Sequence, residues 1–249
     1  MPLSSRQPSH RTNRLLAAMQ PDDFAQLAPH LERVELPRGT VLYETHESTP
    51  FIYFPHDGII SLMTALPDGR TVEVAVLGSE AMVGSASTLV TRQSLGRYVV
   101  HIPGFASRID TAVLHRAFEE WPTLRDLVLC SDEALLAQAL QTMACNIVHS
   151  VEARCCRWIL TMRDRAGQVT LPFTHEHLSR MLGVQRSTVS LVTCGLQSAG
   201  LTRQDRGVIT VTDGSGLEQI ACGCYEIARQ RSQQRAPAQN GEMSDAPRG

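Results

Sequence analysis

The chain is 249 residues long, 43% hydrophobic, and carries a formal net charge of −2 at pH 7. This length accommodates one large domain or two ordinary domains, each with its own hydrophobic core. No apolar run approaches the length of a membrane span, and residues 1–14 lack the apolar core of a signal peptide. We therefore expect a cytoplasmic protein with reduced thiols and no membrane partner.

The charge is divided unevenly along the chain. Residues 1–151 contain 11 arginines and 16 acidic residues, a balance of −5, whereas residues 152–235 contain 11 arginines and 7 acidic residues, a balance of +4. An acidic first part followed by a basic second part is typical of a sensor joined to a DNA-binding module. A solvated surface can produce the same asymmetry by chance, so the motifs must decide.

Short helices and then short strands are predicted in the first part. Residues 1–13 are polar and rich in arginine and proline, and they are predicted to be disordered. Residues 15–31 predict one or two short helices, the second starting at Pro21. From Arg33 to Pro103 the apolar residues recur with period two between turn sequences, which is typical of a sandwich or barrel. The clearest strands are residues 51–54, 59–65, 71–77 and 98–102, and Asp68-Gly69 is a hairpin turn.

A long helix is predicted after this sheet. Asp110 is predicted to cap a short helix over 111–120. Pro122 suits the first turn of a second helix that runs to about His149. Its apolar stripe consists of Leu136, Leu140, Met143 and Ile147. These residues form either a short coiled-coil seam between two chains or a face packed on the chain's own strands, and we favour the dimer seam.

The last third predicts a helix-turn-helix followed by a β-hairpin. A helix over 151–165 provides Trp158, Ile159 and Met162 as core residues. Thr174 caps the next helix, Leu178, Met181 and Leu182 form its buried face, and Gly183 ends it. Residues 183–185 form the tight turn, and the second helix (185–197) buries Val189, Val192 and Leu196. Residues 201–203 and 208–211 are predicted as wing strands around a turn at 204–207, and residues 229–249 as a disordered tail.

This ordered set of residues resembles the DNA-binding domain of the Crp/Fnr family of bacterial transcription regulators. The matching positions are Thr174, Glu176, Leu178, Leu182-Gly183, Arg186, Thr188-Val189-Ser190, Leu196, Gly200-Leu201 and Arg206-Gly207. Upstream, residues 36–42 and 58–61 resemble strands of the family's cyclic-nucleotide-binding β-roll. The resemblance implies an α+β fold with an antiparallel, jelly-roll-like β-roll (14–121), a dimerisation helix (122–150) and a winged helix-turn-helix (151–228).

The resemblance implies a homodimer that reads double-stranded DNA, with RNA polymerase as a further partner. Arg186 would bind a guanine through O6 and N7, and Thr174, Thr188, Arg203 and Arg206 would contact phosphate. The remaining residues on the groove face are Gln185, Ser187, Ser190 and Leu191. Ser187 and Leu191 stand where the family typically has a glutamate and a second arginine, so the usual half-site sequence is not expected.

The effector loop departs from the family pattern. Nucleotide-binding members have a Gly-Glu-x-x-Gly-Glu loop, followed by Arg-Ser or Arg-Thr. The equivalent loop here contains Gly78, Glu80 and Gly84 but ends in Ser85, and neither Arg92 nor Arg97 stands in the usual dipeptide. These six residues mark either a pocket for another ligand or a scaffold without a small molecule. Either way, we do not expect cAMP to be the effector.

Metal and catalytic sites are not expected from the sequence. Cys222 and Cys224 are the only pair with ligand spacing, but no second pair lies nearby in the sequence. No cysteine precedes Cys130, which excludes the N-terminal iron–sulfur cluster of some family members. His46, His56 and His101 are scattered and predicted to lie on the surface. No nucleophile–base–acid set is visible, so the alternative to a DNA-binding regulator is one that acts through protein contacts, with the helix-turn-helix as a packing unit.

Overall fold

The computed structural model describes residues 8–85 and 91–233, which form helices and antiparallel sheets as the α+β prediction required. In chain order the elements are α1 (Arg14–Ala18), α2 (Pro21–Leu27), β1 (Glu32–Leu36), β2 (Val41–Tyr43), β3 (Phe51–Pro55), β4 (Ile59–Ala65), β5 (Thr71–Leu77), β6 (Arg97–Ile102), β7 (Gly104–Asp110), α3 (Thr111–Glu120), α4 (Pro122–Val148), α5 (Val151–Ala166), β8 (Thr170–Leu171), α6 (His175–Leu182), α7 (Arg186–Ser198), β9 (Thr202–Asp205), β10 (Val208–Val211), α8 (Gly214–Ile220) and α9 (Cys224–Gln233).

Two antiparallel sheets form the N-terminal β-roll. One has the strand order β1-β7-β3 and the other β2-β6-β4-β5, with apolar side chains such as Tyr43, Ile60 and Tyr98 buried in its core. The segment 36–42, which resembles a single strand of the family, contains the end of β1 and the start of β2, because Gly39 turns the chain at a φ of +82°. The predicted hairpin at Asp68-Gly69 is confirmed, since β4 pairs with β5 directly across it.

Ordered structure begins closer to the N-terminus than predicted. Disorder was expected up to residue 13, but His10–Thr12 form a 3-10 turn and Asn13 is fully buried. The Asn13 amide donates to the carbonyls of Pro55 and Ala81 at 2.9 and 3.0 Å, and its oxygen caps α1. This side chain therefore anchors the start of the described chain to the β-roll.

The long helix α4 confirms the predicted start at Pro122. Its first turns pack Leu124, Leu127 and Val128 into the core beneath α1 and α3. The predicted stripe is exposed, with relative accessibilities of 60% for Leu136, 55% for Leu140, 60% for Met143 and 79% for Ile147. In this chain the stripe therefore does not pack on the chain's own strands. Leu129, one heptad before Leu136 and 51% exposed, extends it.

The C-terminal domain packs α5 to α9 around a small sheet with the strand order β8-β10-β9. Only His149 and Ser150 separate α4 from α5. The tail was predicted to begin at residue 229, but α9 continues to Gln233. None of the helices that the structure describes is long and apolar enough to cross a lipid bilayer.

Candidate DNA interface and sensor domain

The helix-turn-helix is built by local signals that the sequence carries. The Thr174 hydroxyl accepts a hydrogen bond from the amide of His177 at 3.1 Å, which caps α6, and Gly183 ends that helix with a φ of +65°. Helix α7, the recognition helix, begins after Gln185. The wing turn contains only Arg206 and Gly207, both with positive φ, so β9 extends to Asp205 and the predicted four-residue turn is wrong.

The face of the recognition helix that was predicted to enter the groove is accessible. Gln185, Arg186, Ser187 and Leu191 are exposed, Leu191 at 76%, whereas Thr188 and Ser190 are half-buried. On the wing, Arg203 and Arg206 are also exposed. Within the described chain, no ion pair neutralises Arg186, Arg203 or Arg206. The exposed guanidinium groups of Arg186 on α7 and of Arg203 and Arg206 on the wing thus have no ion-pair partner among the described residues, and α7 is a helix of the size that fits a major groove.

A polar network that the sequence did not predict supports this surface. His175 Nδ1 lies 3.0 Å from Ser190 Oγ, and its Nε2 lies 2.6 Å from Gln204 Oε1 and 3.1 Å from Thr193 Oγ1. One imidazole therefore connects α6, the recognition helix and the wing. Thr193 is buried, while Val192, predicted as core, is only partly buried. Ser190, predicted to face the groove, therefore also holds His175 in place.

The residues predicted for an effector pocket face different partners. The Glu80 carboxylate is buried and lies 3.1 Å from Arg165 Nε of the C-terminal domain. Ser85 donates a hydrogen bond to Asp132 of α4 at 2.5 Å, and Arg97 pairs with Glu44 at 3.0 Å. Arg92 is exposed. Among the described residues these side chains do not converge on one anion site, and Asp132 adds a carboxylate where an anion would require a donor.

Two of the three histidines that were predicted on the surface are buried. His56 Nε2 lies 2.8 Å from Ser107 Oγ, and burial lowers the pKa of His56 to about 4. His101 packs edge-on against His177 with ring centroids 4.1 Å apart, and burial lowers its pKa to about 3. Each ring contacts one serine hydroxyl, Ser107 for His56 and Ser61 for His101, and both histidines belong to the core. Only His46 is exposed as predicted.

A buried carboxylate joins the β-roll to the C-terminal domain. Glu73 on β5 accepts hydrogen bonds from Trp158 Nε1 at 2.8 Å and from the Ser61 hydroxyl, whose oxygen lies 2.9 Å from His101 Nδ1. Burial raises the pKa of Glu73 to about 7, because the hydrogen bonds from Ser61 and Trp158 only partly offset the loss of hydration. Arg165 adds a second connection by donating to the Val76 carbonyl at 2.6 Å.

Along the sequence no second pair of ligands lies close to Cys222 and Cys224, and for that reason no metal site was expected. The fold brings Cys145 and His149, at the end of α4, next to them, so that four potential ligands form one cluster. Cysteine spacing along the chain does not reveal this cluster, because its members come together only in the fold.

The β-roll, the long helix and the winged helix-turn-helix together define a two-domain transcription regulator. Known protein families support this class: residues 33–113 match a cyclic nucleotide-binding domain, and residues 153–220 match a Crp-like helix-turn-helix domain. A CRP-like cAMP-activated global transcriptional regulator from Mycobacterium tuberculosis is 22% identical over 216 residues, covering 83% of this chain and 96% of the relative.

Solved structures share the fold. A transcriptional regulator of the Crp/Fnr family from Eubacterium rectale aligns with a TM-score of 0.69 at 15% identity, covering 84% of this chain and 98% of that one. The c-di-GMP responsive global regulator CLP from Xanthomonas campestris aligns with a TM-score of 0.65 at 15% identity, covering 77% and 99%. The chain belongs to the Crp/Fnr family of transcription regulators.

Proposed function

We propose that the protein is a homodimeric, sequence-specific DNA-binding regulator that acts in the cytoplasm, with α7 in the major groove. The accessible row of Arg186, Ser187 and Leu191, beside the exposed wing arginines Arg203 and Arg206, carries this proposal. Arg186 provides a bidentate donor for guanine, and Leu191 provides an apolar contact for a thymine methyl. Thr174, Thr188, Arg203 and Arg206 contact phosphate, while Gln185 and Ser190 line the same face. RNA polymerase is the expected protein partner.

The exposed stripe on α4 supports the dimer. Five large apolar side chains (Leu129, Leu136, Leu140, Met143 and Ile147) lie along one helix at more than half of full exposure, which is costly for an isolated chain. Their heptad spacing matches a two-stranded seam. A two-fold dimer would place two recognition helices about one turn of DNA, roughly 34 Å, apart.

Selection of bound sequences from a random duplex pool tests this function. We expect an inverted repeat with half-sites about one helical turn apart, and an affinity that falls steeply with salt because several phosphates are neutralised. A protein that acts only through protein contacts would enrich no sequence and show no salt-dependent binding to duplex DNA.

We infer further that cAMP is not the effector. A charge-assisted hydrogen bond contributes roughly 1.5–3 kcal/mol, so losing the ribose carboxylate and the arginine dipeptide weakens a micromolar ligand towards millimolar. The bonds of Ser85 to Asp132 and of Arg97 to Glu44 favour the same conclusion. Calorimetric titration of the dimer with cAMP checks it: a micromolar isotherm with tightened DNA binding would contradict the inference. A different anionic ligand and a ligand-free scaffold both remain compatible with a null result.

A further inference from the structure

Four metal-binding side chains meet where the long helix joins the C-terminal domain. Cys145 and His149 lie one helical turn apart at the end of α4, while Cys222 lies between α8 and α9 and Cys224 is the first residue of α9. Cys145 Sγ lies 4.0 Å from Cys222 Sγ, and Cys224 Sγ lies 3.9 Å from His149 Nδ1. We propose that these four residues bind a single tetrahedral metal ion of the Zn²⁺ type.

The size of the cluster fits one ion. Tetrahedral Zn²⁺ binds sulfur at about 2.3 Å and nitrogen at about 2.0 Å, so its ligand atoms are roughly 3.5–3.8 Å apart. The four ligand atoms here all lie within 4.8 Å of one another, close to that spacing. A multi-iron cluster distributes the same ligands around several metal atoms and needs more room. Three cysteines and one histidine are also a common ligand set of structural zinc.

Neighbouring residues provide the support that such a site requires. Gln141 Nε2 donates a hydrogen bond to Cys224 Sγ at 3.0 Å, an outer interaction that orients a metal-bound thiolate. Ala153 packs against the three cysteines, and its carbonyl accepts from the Cys222 amide at 3.4 Å. These contacts hold the ligands in place from α4 and from α5.

The charge of the surroundings matches a bound ion. Three thiolates and one Zn²⁺ carry a net charge of −1. Arg154 and Arg157 of α5 interact electrostatically with these thiols, and neither forms an ion pair within the described chain. The Nε atoms of both arginines are buried without a hydrogen-bond partner among the described residues. A metal–thiolate centre would add negative charge beside these two guanidinium groups, of which Arg157 also interacts electrostatically with Glu73.

The position of the site makes it a clamp on the joint between the domains. Two ligands come from the helix that carries the proposed dimer seam, and two from the C-terminal domain. A bound ion would therefore restrict rotation about His149 and Ser150 and hold the recognition helices in one orientation. This coupling to DNA binding rests on the proposed function, whereas the metal site itself does not.

Metal analysis of the purified full-length protein tests the site. We expect one zinc per chain in the wild type and at least a tenfold lower content in a Cys222→Ser, Cys224→Ser double variant. Cys130→Ser changes an exposed cysteine of α4, the helix that carries Cys145. It is the matched control and should retain the metal. His149→Cys keeps four ligands and should also retain it. Circular dichroism confirms that each variant is folded.

Cobalt provides a second readout that does not depend on the purification. Protein stripped with a chelator should take up one Co²⁺ with the visible absorption of a tetrahedral thiolate complex, and the double variant should not. Equal Co²⁺ binding by wild type and double variant, an octahedral spectrum, or iron with acid-labile sulfide would each overturn the proposal.

Binding to the selected DNA site then tests the coupling. We expect chelation to weaken binding by wild type roughly tenfold and to leave the double variant unchanged. Stoichiometric zinc with unchanged DNA affinity would refute the clamp but support the metal site. Stoichiometric zinc in a protein that never binds DNA would refute the proposed function alone.

Discussion

Replacing Glu73 by glutamine should change how stability depends on pH. The side chain is buried between the β-roll and α5, with a pKa raised from 4.5 to about 7. The folded protein therefore holds a proton that the unfolded chain releases, and stability is lost as the pH rises through this window. The oxygen of a glutamine can still accept from Trp158, and its amide can donate to Ser61 in place of the bond that Glu73 accepts, without the side chain ever becoming charged.

The magnitude follows from linkage. Between pH 5 and pH 8 this pKa difference corresponds to roughly 2–3 kcal/mol, so the stability of Glu73→Gln relative to wild type should increase by that order. The buried histidines act in the opposite sense, because burial lowers the pKa values of His101 to about 3 and of His177 to about 4. They stabilise the fold above pH 6.5 and lose this contribution in acid. Wild type and Glu73→Gln both contain these histidines, so their contribution cancels when the free energies of unfolding of the two proteins are subtracted.

Urea unfolding followed by tryptophan fluorescence at pH 5 and pH 8 provides the measurement, since Trp158 lies in the contact itself. Glu35→Gln is the matched control, because Glu35 is an exposed acid on a strand of the same β-roll. A constant difference between Glu73→Gln and wild type across this pH range would refute the assignment of a neutral carboxyl at the domain contact.

Three other predictions concern DNA binding, assembly and the N-terminal anchor. Arg186→Ala should remove roughly 1–3 kcal/mol of discrimination between sites in a competition assay, whereas Arg206→Ala should weaken all sites about equally; an unchanged specificity ratio for Arg186→Ala would contradict the docking. Leu140→Glu should sediment as a monomer because like charges would meet across the seam, while Cys130→Glu, which adds the same charge off the stripe, should remain a dimer. Asn13→Ala should lower the free energy of unfolding by about 3 kcal/mol in denaturant titration, since a helix cap and two buried carbonyl partners are lost; a loss below 1 kcal/mol would exclude an anchoring role.

Local signals in the sequence predicted most of the helices and several strands. Asp110 and Thr174 cap their helices, and Pro122 and Gly183 start and end theirs, because these effects depend on neighbouring residues only. Strand β7 was missed. Its buried positions include Ser107, which binds His10 and His56, so its alternation of polar and apolar residues is weak. That pattern becomes readable only when the partners across the sheet are known.

The candidate sites show the same limit. The exposed face of α7 was predictable because a short helix presents its faces in a regular order. The bonds of His175 to the wing and the approach of Cys145 to Cys222 depend on how distant segments pack. The loop residues Glu80 and Ser85 were grouped by resemblance. Each instead contacts a residue from outside the loop: Glu80 pairs with Arg165, and Ser85 donates a hydrogen bond to Asp132.

The two-residue joint at His149 and Ser150 has a consequence for building hybrid regulators. A sensor from another protein can be fused there without a choice of linker length, since α4 ends and α5 begins directly beside the joint. The surfaces are less interchangeable: the pairs Trp158–Glu73 and Arg165–Glu80 cross from one domain to the other. A hybrid that carries only one member of each pair would leave a buried indole and a buried charge unmatched. Successful hybrids should therefore transfer these residues along with the domain.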